Sequence, residues 1–409
     1  MRARKTSAVR LLCGAALWAV FSISLPPLHA ETFTYRYAKR DQYRILTEVS
    51  ENVYLDGAFN NRAEILNKVA VEITDVDNGS GELFGTFQVS EKAWGSEGPY
   101  RLTDEVHTSR FWRDSRGRYT IADRYLMPII RNVPVFPTGD VQPGDTWRAQ
   151  GEEVHDLEPY GWTTPLRIPI DVSYSYLGNE SRDGIEVAVF DIRFSTSISL
   201  RGRGDPASVY PVKIKGDTSQ IYYWDIERGR PFAYQDQFDY IYLLSNGQFV
   251  EFEGSSTGRV VQEERLDIAR AREEIEQEIE KRAIPDTSVE ADQEGVIIRL
   301  ENVQFSPDSS YLMFSERDKL DKIGEILKRY PNRDLLIVGH TALAGTEAER
   351  QELSERRARV VGEYLLSREV RDESQMVYEG RAAHEPIADN ATEAGMRKNR
   401  RVEIKILNN

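Results

Sequence analysis

The sequence predicts a multidomain protein: an N-terminal all-β region forming an antiparallel sandwich or barrel-like sheet, a helical linker, and a C-terminal α/β sandwich of βαβαββ order. Three observations predict it. Five of the six tryptophans lie between residues 94 and 224, and sixteen of the twenty tyrosines precede residue 262. Apolar and polar side chains alternate along stretches such as 192–200, with turn chemistry between them. After residue 295, strand-like apolar runs instead alternate with amphipathic helical ones.

The first thirty residues carry Arg2, Arg4, Lys5 and Arg10 and no acid, then an uncharged run of fifteen residues, Leu11 to Leu25, and Leu28-His29-Ala30. This is the pattern of a secretory signal peptide with cleavage after Ala30. A bilayer-spanning helix needs about 20 apolar residues, so the run is short for an anchor. The sole cysteine, Cys13, falls inside it. An exported chain without this segment has no disulfide, thiolate metal site or cysteine nucleophile. The formal charge of −14 is more negative still without the basic start, which disfavours nucleic-acid partners.

Residues 31–261 read as the β-rich domain. Asp77-Asn78-Gly79, Asp114-Ser115-Arg116-Gly117 and Glu227-Arg228-Gly229 punctuate its strands. Asn246-Gly247, between Tyr242-Leu243-Leu244 and Phe249-Val250-Glu251-Phe252, predicts a type I′ hairpin. Prolines cluster at 128–143 and 159–169, which predicts long surface connections. Residues 262–285 predict a charged helical linker with a thin apolar face and a Glu278–Arg282 pair, a solvated spacer ended by Ile284-Pro285.

Residues 286–409 form the last domain. Val296 to Phe305 predicts a strand, Ser315 with Asp318 opens a helix through Leu327, and Leu335 to Val338 is a strand covered on both faces. Thr346 with Glu349 opens a second helix to about Ser367; Gln375 to Gly380 and Arg401 to Leu407 add two strands. Leu353, Val360, Val361, Tyr364 and Leu365 mark an apolar stripe on the second helix, with Arg357 in its middle. A guanidinium there needs anionic or carbonyl partners, either within the protein or from a ligand.

Phe305-Ser306-Pro307-Asp308-Ser309, Gly339-His340-Thr341, Leu353-Ser354-Glu355-Arg356-Arg357-Ala358 and Asn399-Arg400-Arg401-Val402-Glu403-Ile404 occur in order and spacing that resemble the OmpA-like C-terminal domain family of peptidoglycan-associated lipoproteins and flagellar stator proteins. The resemblance covers about 295–409. It implies a mixed sheet with packed helices and noncovalent binding of the diaminopimelate-containing stem peptide of peptidoglycan. In the family the aspartate after Gly-His-Thr meets the ammonium of diaminopimelate, and the arginine of Leu-Ser-x-x-Arg-Ala meets its carboxylate. Arg357 keeps the second role; position 342 is alanine, so the first is lost. Asp308 and Arg400 match pocket-lining positions, and Arg350 stands where relatives have a ligand-facing asparagine. A buried His340 at a strand end reads as a packed, hydrogen-bonded residue.

No HExxH spacing, nucleophile elbow, phosphate loop or dinucleotide fingerprint occurs. The chain therefore reads as non-enzymatic, without catalytic residues, metal or cofactor. The expected partner is the peptidoglycan stem peptide, with weakened grip, and other envelope proteins. The expected place is the periplasm of a diderm bacterium, at its outer membrane or cell wall. Two alternatives stand beside wall binding: a periplasmic scaffold whose domain no longer binds peptidoglycan, with Arg357 neutralised by Glu347, Glu403 or Asp308, and an outer-membrane β-barrel formed by 31–261.

Overall fold

The computed structural model describes residues 30–408, apart from 94, 97, 206, 262–265, 302 and 304–311, and the side chains of 104 and 105. The expected signal segment and the motif holding Asp308 lie outside the described residues.

Among these, twelve strands build the N-terminal region: β1 (Gln42–Leu55), β2 (Ala58–Asp77), β3 (Ser80–Ala93), β4 (Tyr100–Arg113), β5 (Tyr119–Ile121), β6 (Ile130–Arg131), β7 (Thr146–His155), β8 (Leu166–Arg182), β9 (Ile185–Ser199), β10 (Pro211–Asp225), β11 (Arg230–Leu244) and β12 (Phe249–Val261). All neighbours are antiparallel, in the order β5-β4-β3-β2-β1-β12-β11-β10-β9-β8-β7-β6. The last strand, β12, thus returns beside the first.

Two-residue turns at Asp56-Gly57, Asn78-Gly79 and Asp183-Gly184 have positive φ at both positions, the type I′ geometry that matches strand twist. The hairpin expected at Asn246-Gly247 forms, but only Gly247 has positive φ, and Leu244 N–H donates to Gln248 O at 2.8 Å. Its loop runs over four residues, 245–248, so it is not the type I′ turn.

The sheet curls around an aromatic core. Tyr35 packs its ring 4.6 Å from Trp224 of β10 and lies 4.0 Å from the guanidinium of Arg113 on β4. Those strands are far apart in the sheet order, so one residue of the leading segment spans the concavity. The proline-rich stretch also turns inward: Val135 and Phe136 are fully buried and Phe136 packs edge-to-face with Trp224, ring centroids 4.8 Å apart. It plugs the core and is not the surface connection its prolines suggest. Along β8 to β12 the outward face carries Asp171, Arg193, Asp217, Asp239 and Glu253, all exposed. A bilayer-spanning barrel shows lipid an apolar band. This charge distribution is the reverse, which removes the outer-membrane barrel alternative.

The C-terminal region comprises α1 (Ile268–Lys281), β13 (Thr287–Ala291), β14 (Gly295–Glu301), α2 (Phe314–Leu327), β15 (Leu335–Gly339), α3 (Glu347–Ser367), β16 (Met376–Gly380), α4 (Glu393–Asn399) and β17 (Arg401–Leu407). The sheet order is β13-β14-β17-β15-β16, with β15 and β16 parallel and the rest antiparallel. The capping box expected at Thr346 and Glu349 is present, whereas α2 begins at Phe314 after Met313 with no side-chain cap, so Ser315 does not open it. Helix α1 keeps its Glu278–Arg282 pair at 3.1 Å but is no solvated spacer. Ala271, Ile275 and Ile279 are buried with Ile298, Ile323, Leu335 and Val361 in the C-terminal core. A few apolar residues at helical spacing suffice when one face is fully covered.

The two regions are joined by more than the chain. The Asp334 carboxylate, fully buried before β15, accepts from Arg44 of β1 at 2.9 Å and from Lys68 of β2 at 2.8 Å. Lys92 of β3 bridges Glu64 at 3.1 Å and Glu373 at 2.5 Å. Tyr100 and Arg101 of β4 pair in parallel with Val377 and Tyr378 of β16, and Leu102 packs with Leu336, Val338, Val377 and Leu407. The edge of the C-terminal sheet is thereby covered, which satisfies backbone groups that an open edge exposes.

Candidate functional site

The backbone of α3 rests directly on the ends of β15 and β16. A Cβ on Gly339 would come within 2.0 Å of Ser354 O, and one on Gly380 within 2.4 Å of Ser354 Oγ. Ser354 Oγ donates to Gln351 O at 2.8 Å and accepts from Ala382 N at 3.1 Å. Small residues at Ser354, Ala358 and Gly362, with Val361 and Leu365, make the buried face. This corrects the stripe read from hydrophobicity. Leu353 is 38% exposed, and Arg357, one turn after it, lies at the margin of the buried face and not at its centre.

Arg357 is half-buried there. Burial, and after it the charge of Arg400, push its guanidinium below the ordinary arginine pKa. Two cations from distant sequence positions therefore feel each other at this edge of the domain. Arg400, between α4 and β17, donates to Glu393 at 2.8 Å. Asp308 lies outside the described residues, so only Arg357 and Arg400 of the three expected pocket residues can be placed.

Two carboxylates considered as internal partners for Arg357 are engaged elsewhere. Glu347 takes Arg350 and, at 2.7 Å, His384. Glu403 accepts from Arg401 at 2.7 Å and from Arg299 at 3.0 Å. Arg350 also donates to Gly345 O at 2.5 Å, so it braces the loop before α3. Its charge is met by Glu347 one turn earlier.

Ala342 is buried. The loop around it is fixed by its backbone: Thr341 N donates to Ala382 O at 2.8 Å, and Leu343 N to Asn390 Oδ1 at 3.2 Å. His340 is buried and packed with Nε2 3.8 Å from Glu403 Oε2, and burial pushes its pKa down, but neither ring nitrogen has a hydrogen-bond partner among the described residues, so it is not the hydrogen-bonded histidine expected at a strand end.

Sequence reading passed over Asn399 as a residue with a role of its own. Its Oδ1 accepts from Ile387 N at 2.9 Å and Ala388 N at 3.0 Å, while Nδ2 donates to Ala388 O and Asn390 Oδ1, both at 2.8 Å. It thus fixes Asn390, which in turn holds Leu343. The available signal was an asparagine closing a helix just before Arg400. Among the described residues no group of three or more His, Cys, Asp or Glu side chains is placed to hold a metal ion.

Comparison with known proteins places these elements. The OmpA family matches residues 304–400. Outer membrane protein A of Bordetella avium is 39% identical over 103 residues, 25% of this chain and 53% of that protein. Peptidoglycan-binding protein ArfA of Mycobacterium bovis is 35% identical over 104 residues, 25% of this chain and 32% of that protein. The chain thus spans about half of the first relative and about a third of the second. Among solved structures, an outer membrane protein from Borrelia burgdorferi B31 is 36% identical and aligns over 30% of this chain and 97% of its own, with a TM-score of 0.25. Residues 304–400 of this β-rich multidomain chain are an OmpA family domain.

Proposed function

We propose that this protein is a non-enzymatic component of the bacterial cell envelope whose OmpA domain contacts peptidoglycan noncovalently through a partly degenerate diaminopimelate pocket. The observation that carries this reading is the OmpA family match over 304–400, with Arg357 half-buried at the margin of the packed face of α3 and the charge of Arg400 felt there. Two guanidiniums held by separate elements favour a carboxylate, since each can donate paired charge-assisted hydrogen bonds. Ala342 supplies no anion for the ammonium of the same ligand. The grip is therefore on the carboxylate end, with Asp308 a pocket member by resemblance. The basic, then apolar leading segment supports export, and the outer-membrane and peptidoglycan-binding names of the relatives support a place at the outer membrane or wall.

Co-sedimentation of the full chain with purified sacculi tests the reading. Wild type pellets with the wall at low salt, and Arg357→Ala pellets less. Equal pelleting of both would remove Arg357 from the role, and no pelleting of wild type would remove the function. The second reading, an envelope scaffold, draws on the docking of the OmpA domain against the β domain through Asp334. It expects no sacculus binding by either form.

A further inference from the structure

The outward face of the β domain holds an open trough of about 1010 Å³, reaching from Arg62 on β2 to Arg148 on β7. Strand register places two rows of polar side chains along its floor. One row is Glu253, Asp239, Asp217, Ser195 and Asp171, each directly opposite the next. The other is Ser255, Gln237, Ser219, Arg193 and Ser173, in the same order of strands. Each row crosses the five strands β12 to β8, about 19 Å at an inter-strand spacing of about 4.8 Å.

The first row sets like charges against one another. Glu253 faces Asp239, and Asp239 faces Asp217, an arrangement that costs stability in a sheet. Burial, then Glu253 and Asp217, push the Asp239 carboxyl above its ordinary pKa. Neither a polycation nor a polyanion suits the whole trough. A polycation would meet Arg62, Arg148 and Arg193, and a polyanion would meet four carboxylates. An uncharged polyhydroxylated chain suits both signs, because carboxylates accept from hydroxyl and amide groups while guanidiniums donate to hydroxyl, ring and acetyl oxygens.

The position favours one source of such a chain. Ser50 at the trough's β1 edge is the strand partner of Glu64, and Glu64 meets Lys92, which bridges to Glu373 of the C-terminal region. The trough therefore begins where the OmpA domain's region docks. From this juxtaposition we propose that the trough is an oligosaccharide site for the acetamido-sugar strand of the wall polymer, a second contact beside the stem-peptide pocket. The proposal rests on the wall-binding reading for its choice of sugar.

Calorimetric titration of the full chain with a β-1,4-linked N-acetylglucosamine hexamer tests it, with a glucose hexamer as the second arm. Wild type binds the acetamido hexamer. Asp217→Ala combined with Arg193→Ala weakens that binding at least about tenfold, since charge-assisted bonds are lost at two exposed positions. Arg357→Ala leaves it unchanged. No hexamer binding by wild type, or equal binding by the double variant, overturns the site. Binding of the glucose hexamer alone overturns the wall source. Sacculus pelleting by wild type that depends on Arg357, without hexamer binding, would show that only the trough reading had failed. The unfolding midpoint of the double variant, unchanged from wild type, verifies that the fold is intact.

Discussion

Arg44 of β1 donates to the buried carboxylate of Asp334 at 2.9 Å, across 290 residues of chain. Lys68 completes a cluster of two cations on one anion inside the contact between the two regions. Asp334→Ala leaves both cations desolvated, so unfolding free energy should fall by roughly 3–5 kcal/mol, the cost of breaking one side of a buried pair. Urea unfolding followed separately by tryptophan fluorescence and circular dichroism would measure it. A change below about 1 kcal/mol would show that the contact is hydrated.

The same cluster sets a pH dependence. Burial alone would raise the Asp334 pKa, but Lys68 and Arg44 outweigh it and the folded value lies below the ordinary 3.8. Its stabilising contribution is full above the unfolded pKa and is lost as pH falls through the folded one. The stability difference between wild type and Asp334→Asn should be constant from about pH 7 to 5 and shrink below about pH 4. A difference that stays flat to pH 3 would contradict an ionised Asp334.

Gly339→Ala would press a methyl group into the α3 backbone at Ser354. Overpacking of this kind costs about 1–3 kcal/mol or more. Because α3 carries Arg357, sacculus pelleting should fall together with the melting temperature. Retained pelleting in a destabilised variant would separate Arg357 from wall contact.

Ile275→Ala distinguishes a packed helix from a tether. Ile275 is fully buried in the C-terminal core, so its truncation should cost about 2–5 kcal/mol, against less than about 0.5 kcal/mol for a solvated spacer. Chemical denaturation of the full chain provides the readout.

Ala342→Asp would restore an anion at a buried position. Without ligand the carboxylate is desolvated, and the protein should lose about 1–3 kcal/mol of stability. With a diaminopimelate-containing stem peptide, the new charge-assisted bond should raise affinity by about one to two decades. An unchanged titration would mean that the pocket lies elsewhere.

Much of the architecture was legible in local pattern. Period-two alternation marked β9, and the capping pair Thr346 and Glu349 marked the start of α3. The close approach of α3 to β15 at Gly339, where a Cβ would meet Ser354 O at 2.0 Å, was not read from the sequence, because a glycine in a motif does not say which backbone will lie against it. Side-chain hydrophobicity misled where contact was by small residues: Ser354, Ala358 and Gly362 form the buried face that Leu353 and Val360 seemed to define. The same bias hid the burial of α1, read as a solvated helix because its three buried residues are diluted by charges along the sequence.

The sequence by itself determined the all-β character of the first region, the alternation of strands and helices in the last, the family of the C-terminal domain and the chemical identity of its surviving cations. Tertiary structure alone decided that the β domain and the OmpA domain's region dock, that the charge of Arg400 is felt at Arg357, and that like charges line one trough. Local spacing encodes which face of an element is apolar. It does not encode which element, hundreds of residues away, will cover that face or pair its charges, because that choice is settled by the simultaneous burial of many surfaces.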